Sequence, residues 1–235
     1  MKSLILALQF MTRLPLPNIK VSERDFAAAI RWFPAAGMVV GLAVWGAFRL
    51  GAMVEPWLAA LLGLVVWVGV TGALHLDGLG DMADALGAAH KDSARIGDVL
   101  ADPHVGSFAV VAIGVQLLAK LVLLHDLSPD HAVWLVPIAA AARIGPLVWT
   151  LALPPLHQGL GSLFRDGLRW WHAGLWGLLL LVGVYWAPWL VIAFPLMGGW
   201  AWFVKRRLGG ISGDSHGAGI ELGETVLLLA LVCWR

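Results

Sequence analysis

The sequence predicts an all-α fold: a polytopic transmembrane helical bundle of about seven spans with its N-terminus in the cytoplasm. Three observations predict it. Hydrophobic residues make up 60% of the 235 positions and charged ones only 13%, with a mean hydropathy of +0.81. A soluble domain of this length would be nearer a quarter charged. The apolar residues fall in runs close to the ~20 needed to cross a bilayer core. Lys and Arg collect in alternate connecting segments, as they do on the cytoplasmic side of membrane proteins.

The elements follow in order. Residues 1–32 read as an N-terminal cytoplasmic or interfacial segment, and residues 1–235 as one integral membrane domain. Leu4–Met11 is apolar but too short to span, and no small-residue cleavage site follows it. The expected spans are Phe33–Met53, Pro56–Leu74, Ser107–Leu124, Val133–Leu153, Ala173–Trp186, Pro188–Val204 and Ile220–Trp234. Pro188, between Trp186 and Trp189, divides the fifth from the sixth with a tight interfacial turn. The fifth and seventh are short enough to tilt or insert partially.

The basic residues set the orientation. Lys2, Arg13, Lys20, Arg24 and Arg31, then Lys91 and Arg95, then Arg165 and Arg169, then Lys205, Arg206 and Arg207 all fall on one side. The opposite loops, near Glu55, His125–Ala132 and Ala187, carry none, and Arg235 is the one exception. The polar, glycine-containing stretches 75–106 and 205–219 therefore face the cytoplasm, where nucleotides are found. Localisation to a bacterial inner membrane, multi-pass in the lipid bilayer, is expected. The basic residues are too thinly spread to bind nucleic acid. The lone Cys233 cannot form an internal disulfide. A homo-oligomer is left open.

Chemistry concentrates in His75-Leu76-Asp77-Gly78-Leu79-Gly80-Asp81-Met82-Ala83-Asp84. On a helix, Asp77, Asp81 and Asp84 share one face, one turn above another. Like charges so placed repel, and near hydrocarbon they are costly to keep ionised. A solvated helix end accounts for one or two of them. Three on one face, with no Lys or Arg between 75 and 90, point to a bound hard divalent cation. Gly78 and Gly80 clear side chains from the neighbourhood, so that a bulky ligand can approach the backbone.

A second constellation is Lys205-Arg206-Arg207, followed by Gly209, Gly210, Gly213 and Asp214. Basic side chains and glycine N–H groups suit phosphate, and Asp214 suits a fourth metal ligand or a general base. A positive-inside anchor explains the basic trio equally well. His104, in Asp102-Pro103-His104-Val105-Gly106, is a candidate base or phosphate contact, although Pro and Gly there also mark a loop. Of the charges inside predicted spans, Lys120 is expected to snorkel. Arg143 is expected to reach a phosphate or pair with a buried acid. Together these residues point to pyrophosphate chemistry with the metal neutralising the leaving group.

Several local patterns resemble the cobalamin synthase family, the adenosylcobinamide-GDP ribazoletransferases. They are Leu8-Gln9-Phe10-Met11-Thr12-Arg13-Leu14-Pro15, Arg31-Trp32-Phe33-Pro34 with Gly37 and Gly41, and Gly72 through Asp84. Asp102 through Phe108, and Gly209 through Asp214 with Gly217, Ala218 and Glu221, complete the set. They cover nearly the whole chain in the family's order. The resemblance implies transfer of cobinamide phosphate from adenosylcobinamide-GDP to α-ribazole or α-ribazole 5′-phosphate, with release of GMP and a requirement for Mg²⁺.

Carried over, Asp77, Asp81, Asp84 and Asp214 would hold Mg²⁺. Asp81, Asp214 and His104 would serve catalysis. Arg143, Lys205, Arg206, Arg207, Gly78 and Gly213 would bind substrate. The chain departs from the family at Ala101, where a Lys is usual, and at Ser215-His216. A CDP-alcohol phosphotransferase would need an Ala-Arg pair after Asp77-Gly78, and a UbiA-type prenyltransferase a second strong Asp motif. A divalent-cation transporter would place its acids at mid-membrane.

Overall fold

Pro34 and Pro56 sit in the first turns of two apolar helices, where a proline's missing N–H costs nothing. From there the chain is helical almost throughout. A computed structural model describes residues 2–89, 104–156 and 160–234. Lys91, Arg95, Asp92, Asp98 and the Ala101-Asp102-Pro103 stretch lie outside the described residues, as does Arg235.

The helices are α1 (Lys2–Met11), α2 (Glu23–Ala27), α3 (Phe33–Ala52), α4 (Pro56–Thr71), α5 (Leu74–Ala89), α6 (Ser107–His125), α7 (Leu135–Ala142), α8 (Gly145–Ala152), α9 (Leu160–Asp166), α10 (Trp170–Trp186), α11 (Ala193–Leu208) and α12 (Gly213–Cys233). Short 3₁₀ turns at Ala28–Trp32, Ala132–Trp134 and Pro188–Ile192 join neighbours. Among the described residues the nearest thing to a sheet is one isolated parallel bridge between Pro155 and Ile211.

Four stretches among the described residues are long and apolar enough to cross a membrane: Glu23–Ala52, Ser107–His125, Ala132–Ala152 and Gly213–Cys233. The pair α4 and α5 would make a fifth, but it is bent by 84°. Gly72 causes the bend by ending α4 in the left-handed region at φ 61°, and Ala73 follows at φ 59°, a strained value for a residue with a side chain. The Arg13 side chain lies over Gly72, and the Arg13 N–H donates to the Val70 carbonyl at 2.7 Å. The Thr12-Arg13 stretch thereby locks the bend. Past it, α5 turns across the end of α4 instead of prolonging it, which carries the aspartates away from the axis of α4.

Small residues set the packing, because they let helix backbones approach closely. Gly37 and Gly41, one turn apart on α3, seat α7; a Cβ on Gly41 would lie 2.6 Å from Val136 Cα. The core between them is apolar, with Phe48, Trp67, Leu124, Leu135 and Ile138 all buried. A second cluster stacks Phe10, Phe26, Phe33 and Phe164 with ring centroids 5.1–6.0 Å apart, closing the N-terminal segment onto α9. The outer face of α6 shows Val110, Val111, Val115, Leu118 and Val122 exposed. A contiguous apolar face of this kind belongs in lipid.

Three boundaries differ from expectation. The segment expected as Val133–Leu153 is one stretch long enough to cross, Ala132–Ala152, but a turn at Arg143 and Ile144 divides its helix in two. Helices α10 and α11, of 17 and 16 residues, are separated at Ala187–Pro188 as expected, but each falls short of a full span by length. The last helix begins at Gly213, seven residues before Ile220, so the end of the polar stretch 205–219 is already helix. Ser212 caps it, its hydroxyl accepting the Ser215 N–H at 3.1 Å.

Candidate active site

Helices α5 and α12 cross where neither has a side chain in the way. A Cβ on Gly78 would lie 2.8 Å from the Asp214 carbonyl oxygen, and one on Gly217 would lie 3.2 Å from His75 Cα. The missing side chain of Gly78 admits the backbone of α12, and Gly78 also lines the cavity that Asp77 and Asp214 share. Gly80 likewise faces Ala109 and Ile113 of α6. By contrast nothing lies within 4 Å of a Cβ on Gly213. The crossing brings Asp214 in the first turn of α12 to the acidic face of α5.

Four carboxylates gather there. Asp81 is held up at about 6, first by burial and then by the negative charges of Asp77, Asp214 and Asp84. Neither Asp77 nor Asp81 meets a Lys or Arg within ion-pair distance among the described residues. Asp84 has a second task. Its Oδ2 accepts the Gly106 N–H at 2.7 Å and its Oδ1 the Ala109 N–H at 3.0 Å. It caps α6, whose own N-cap is the side-chain-free Gly106. Among the described residues no three Asp, Glu, His or Cys side chains converge tightly enough to make a ready metal site. The donor set is nonetheless wholly hard carboxylate oxygen, which fits Mg²⁺ or Ca²⁺ and not a softer metal.

Asp77 and Asp214 share a cavity of about 230 Å³ with His75, Gly213, His216 and the Phe10–Phe33–Phe164 wall. His216 is oriented by Thr150, whose hydroxyl lies 3.1 Å from its Nε2. Lys205, Arg206 and Arg207 are exposed in the last turn of α11, just before Gly209–Ser212 leads into α12. Arg206 lies over the Trp202 ring at 5.6 Å. His104 is exposed two residues ahead of the α6 N-terminus that Asp84 caps. A larger cavity of about 610 Å³, bounded by Trp149, Met197, Trp200, Phe203 and Leu222, has no titratable lining.

Arg143 is placed elsewhere. It is fully buried; its Nη1 donates to Glu224 at 2.6 Å and to the Ala139 carbonyl at 2.8 Å. Of the two expectations for it, pairing with a buried acid is what the structure brings about. Lys120 does not snorkel: it is 2% exposed and bonds Glu221 and Glu224, each at 2.6 Å, with its ammonium 4.4 Å from the Trp67 ring. Gln116 donates to Glu221 at 2.9 Å, and His75 sits 3.5 Å from Arg143 and 3.3 Å from the Met11 sulfur. Glu224 escaped the reading of the sequence. The signal was there: two acids and two bases in apolar runs, each needing a partner of opposite sign.

The fold and site define a class, a helical membrane protein whose acidic chemistry sits at the end of its spans. The chain matches the model of the family described as cobalamin-5-phosphate synthase over residues 3–232. It is 56% identical over 236 residues to the adenosylcobinamide-GDP ribazoletransferase of Novosphingobium aromaticivorans, covering 98% of this chain and 96% of that one. It is 53% identical over 245 residues to the protein of the same name from Laribacter hongkongensis, covering 100% and 98%. The Thiobacillus denitrificans protein of that name is 50% identical over 237 residues, covering 97% and 94%. No solved structure matches the chain. The chain belongs to the cobalamin-5-phosphate synthase family and is a transferase of cobalamin synthesis.

Proposed function

We propose that this chain transfers the cobinamide-phosphate moiety of adenosylcobinamide-GDP to α-ribazole or α-ribazole 5′-phosphate. The ribose hydroxyl oxygen bonds to the phosphorus that carries cobinamide, the pyrophosphate P–O bond breaks, GMP leaves, and the hydroxyl proton passes to a carboxylate. The observation that carries this reading is the acidic crossing of α5 and α12, with Asp77 and Asp214 lining one cavity. The names of the relatives supply the substrates.

Asp77, Asp81, Asp84 and Asp214 would hold Mg²⁺, which when bound supplies charge neutralisation on the pyrophosphate. Asp214 stands at the open edge marked by Gly213 and would take the proton. His104 is the alternative acid–base group at the same end. Lys205, Arg206 and Arg207 lie at the same helix junction and suit the outgoing GMP phosphate. A cavity of about 230 Å³ suits a pyrophosphate and a hydroxyl, leaving the corrin ring outside. Seven spans, a cytoplasmic N-terminus and an inner-membrane location complete the reading, since nucleotides are cytoplasmic.

Membranes containing this protein should release GMP from adenosylcobinamide-GDP on addition of α-ribazole, and only with Mg²⁺. Absence of both GMP and a cobalamin product would sink the assignment.

A further inference from the structure

Three arginines line a second cavity of about 590 Å³ on the far side of the phenylalanine cluster: Arg24 of α2, Arg31 before α3, and Arg169 before α10. The fold brings them together. The Trp176 indole N–H donates to the Arg31 carbonyl at 2.8 Å, which ties α10 to the entry of α3. The Arg31 side chain donates to the Gly167 carbonyl, and Arg169 closes the other side.

Acids also line the cavity: Glu23, Asp25 and Asp166. Asp25 is committed to Ser22, accepting from its N–H at 3.2 Å and its hydroxyl at 2.9 Å. The lining is formally neutral, three arginines against three acids. None of the guanidiniums lies within ion-pair distance of a carboxylate among the described residues, so N–H donors of all three face the concavity without an acid partner and suit a phosphate.

The surroundings name the anion's source. Arg31 precedes Trp32, and Arg169 precedes Trp170 and Trp171; the three indoles are 41%, 58% and 65% exposed. Trp32 and Arg169 stand at the N-terminal entries of α3 and α10. Exposed tryptophans at helix entries sit at headgroup depth. A basic pocket between helices at that depth suits an anionic lipid headgroup.

We propose that Arg24, Arg31 and Arg169 form a binding site for the phosphate of an anionic lipid headgroup, separate from the aspartate site. Guanidiniums bind phosphate oxygens in paired hydrogen bonds, and the tryptophans flank the acyl chains. Net negative charge is what distinguishes this lipid from a zwitterionic one, which carries its own compensating cation.

The test is thermal unfolding of the full chain in uncharged detergent, with phosphatidylglycerol, phosphatidylcholine or inorganic phosphate added. Phosphatidylglycerol is expected to raise the midpoint by several degrees and phosphatidylcholine not to. R24Q/R169Q should lose that rise, R24K/R169K should keep part of it, and R49Q, at the opposite end of α3, should keep all of it. If the double variant does not fold, R24Q alone, an exposed position, should reduce the rise. An undiminished rise in R24Q/R169Q, or in R24Q if only that folds, overturns the site. Equal responses to the two lipids overturn the headgroup charge. An equal response to inorganic phosphate overturns the lipid source.

Discussion

Two groups of carboxylates meet on α12 a few helical turns apart, one wholly on it and one joined there by α5, and the protein treats them in opposite ways. Glu221 and Glu224 are buried and fully paired, with Lys120, Arg143 and Gln116 converging on them from α6 and the α7–α8 break. Asp214 joins Asp77, Asp81 and Asp84, where like charge meets like and Asp81 is held up at about 6. The first group spends its charges on holding helices together. In the second, neither Asp77 nor Asp81 meets a Lys or Arg within ion-pair distance among the described residues, and the mutual repulsion felt by Asp81 is of the kind that a bound cation relieves. The difference separates the two groups more sharply than residue type does, since both are acids and α12 contributes to each.

The comparison can be broken at either end. The largest effect is expected from Glu224→Ala, which strands Arg143 as a buried charge and leaves Lys120 with Glu221 alone. A loss of about 3–5 kcal/mol is expected, seen as failure to accumulate or a collapsed thermal midpoint in detergent. Asp81→Asn should do the reverse to stability while abolishing GMP release. Because its carboxyl is pushed above the usual carboxylate range, its ionised form at neutral pH opposes folding, so removing the charge should raise the midpoint. A lowered midpoint would mean that Asp81 is paired after all.

Gly78→Ala sharpens the crossing itself. Its Cβ would meet the Asp214 carbonyl oxygen at 2.8 Å and push α5 from α12. Turnover should fall on the order of 100-fold through misplacement, with stability reduced by only about 1–3 kcal/mol. The smallest stability effect is expected from Asp84→Ala, about 1 kcal/mol for a lost helix cap. It is to be compared with Asp84→Asn, whose amide oxygen still accepts one N–H: a shared loss of turnover in both, with stability lost mainly in the Ala variant, separates the cap from the metal role.

Much of this was legible in the chain. The aspartate spacing on α5, the split at Pro188 and the apolar runs of α3 and α6 follow from local periodicity and turn chemistry. That Gly78 also admits the backbone of α12 was not legible, because a glycine beside an aspartate looks the same whether or not a helix packs on it. Lys120 was misread because snorkelling depends on depth, and depth depends on neighbours. The start of α12 is later in the sequence-based expectation because Gly213, Gly217 and Gly219 weaken a helix on propensity alone, whereas close contact with α5 favours Gly217, and with Trp149 and Trp200 favours Gly219.

By itself, the sequence determined an all-helical, lipid-embedded chain, an acidic face on one helix and membership of a cobalamin-synthesis family, because composition, period and motif are local properties. Only the tertiary structure decided which acids are neutralised. Pairing depends on which helices meet, and Lys120, Arg143, Glu221 and Glu224 are up to 104 residues apart in the chain yet share one buried network. The same packing laid Asp214 against Gly78, turning a helix end and an aspartate motif into one site.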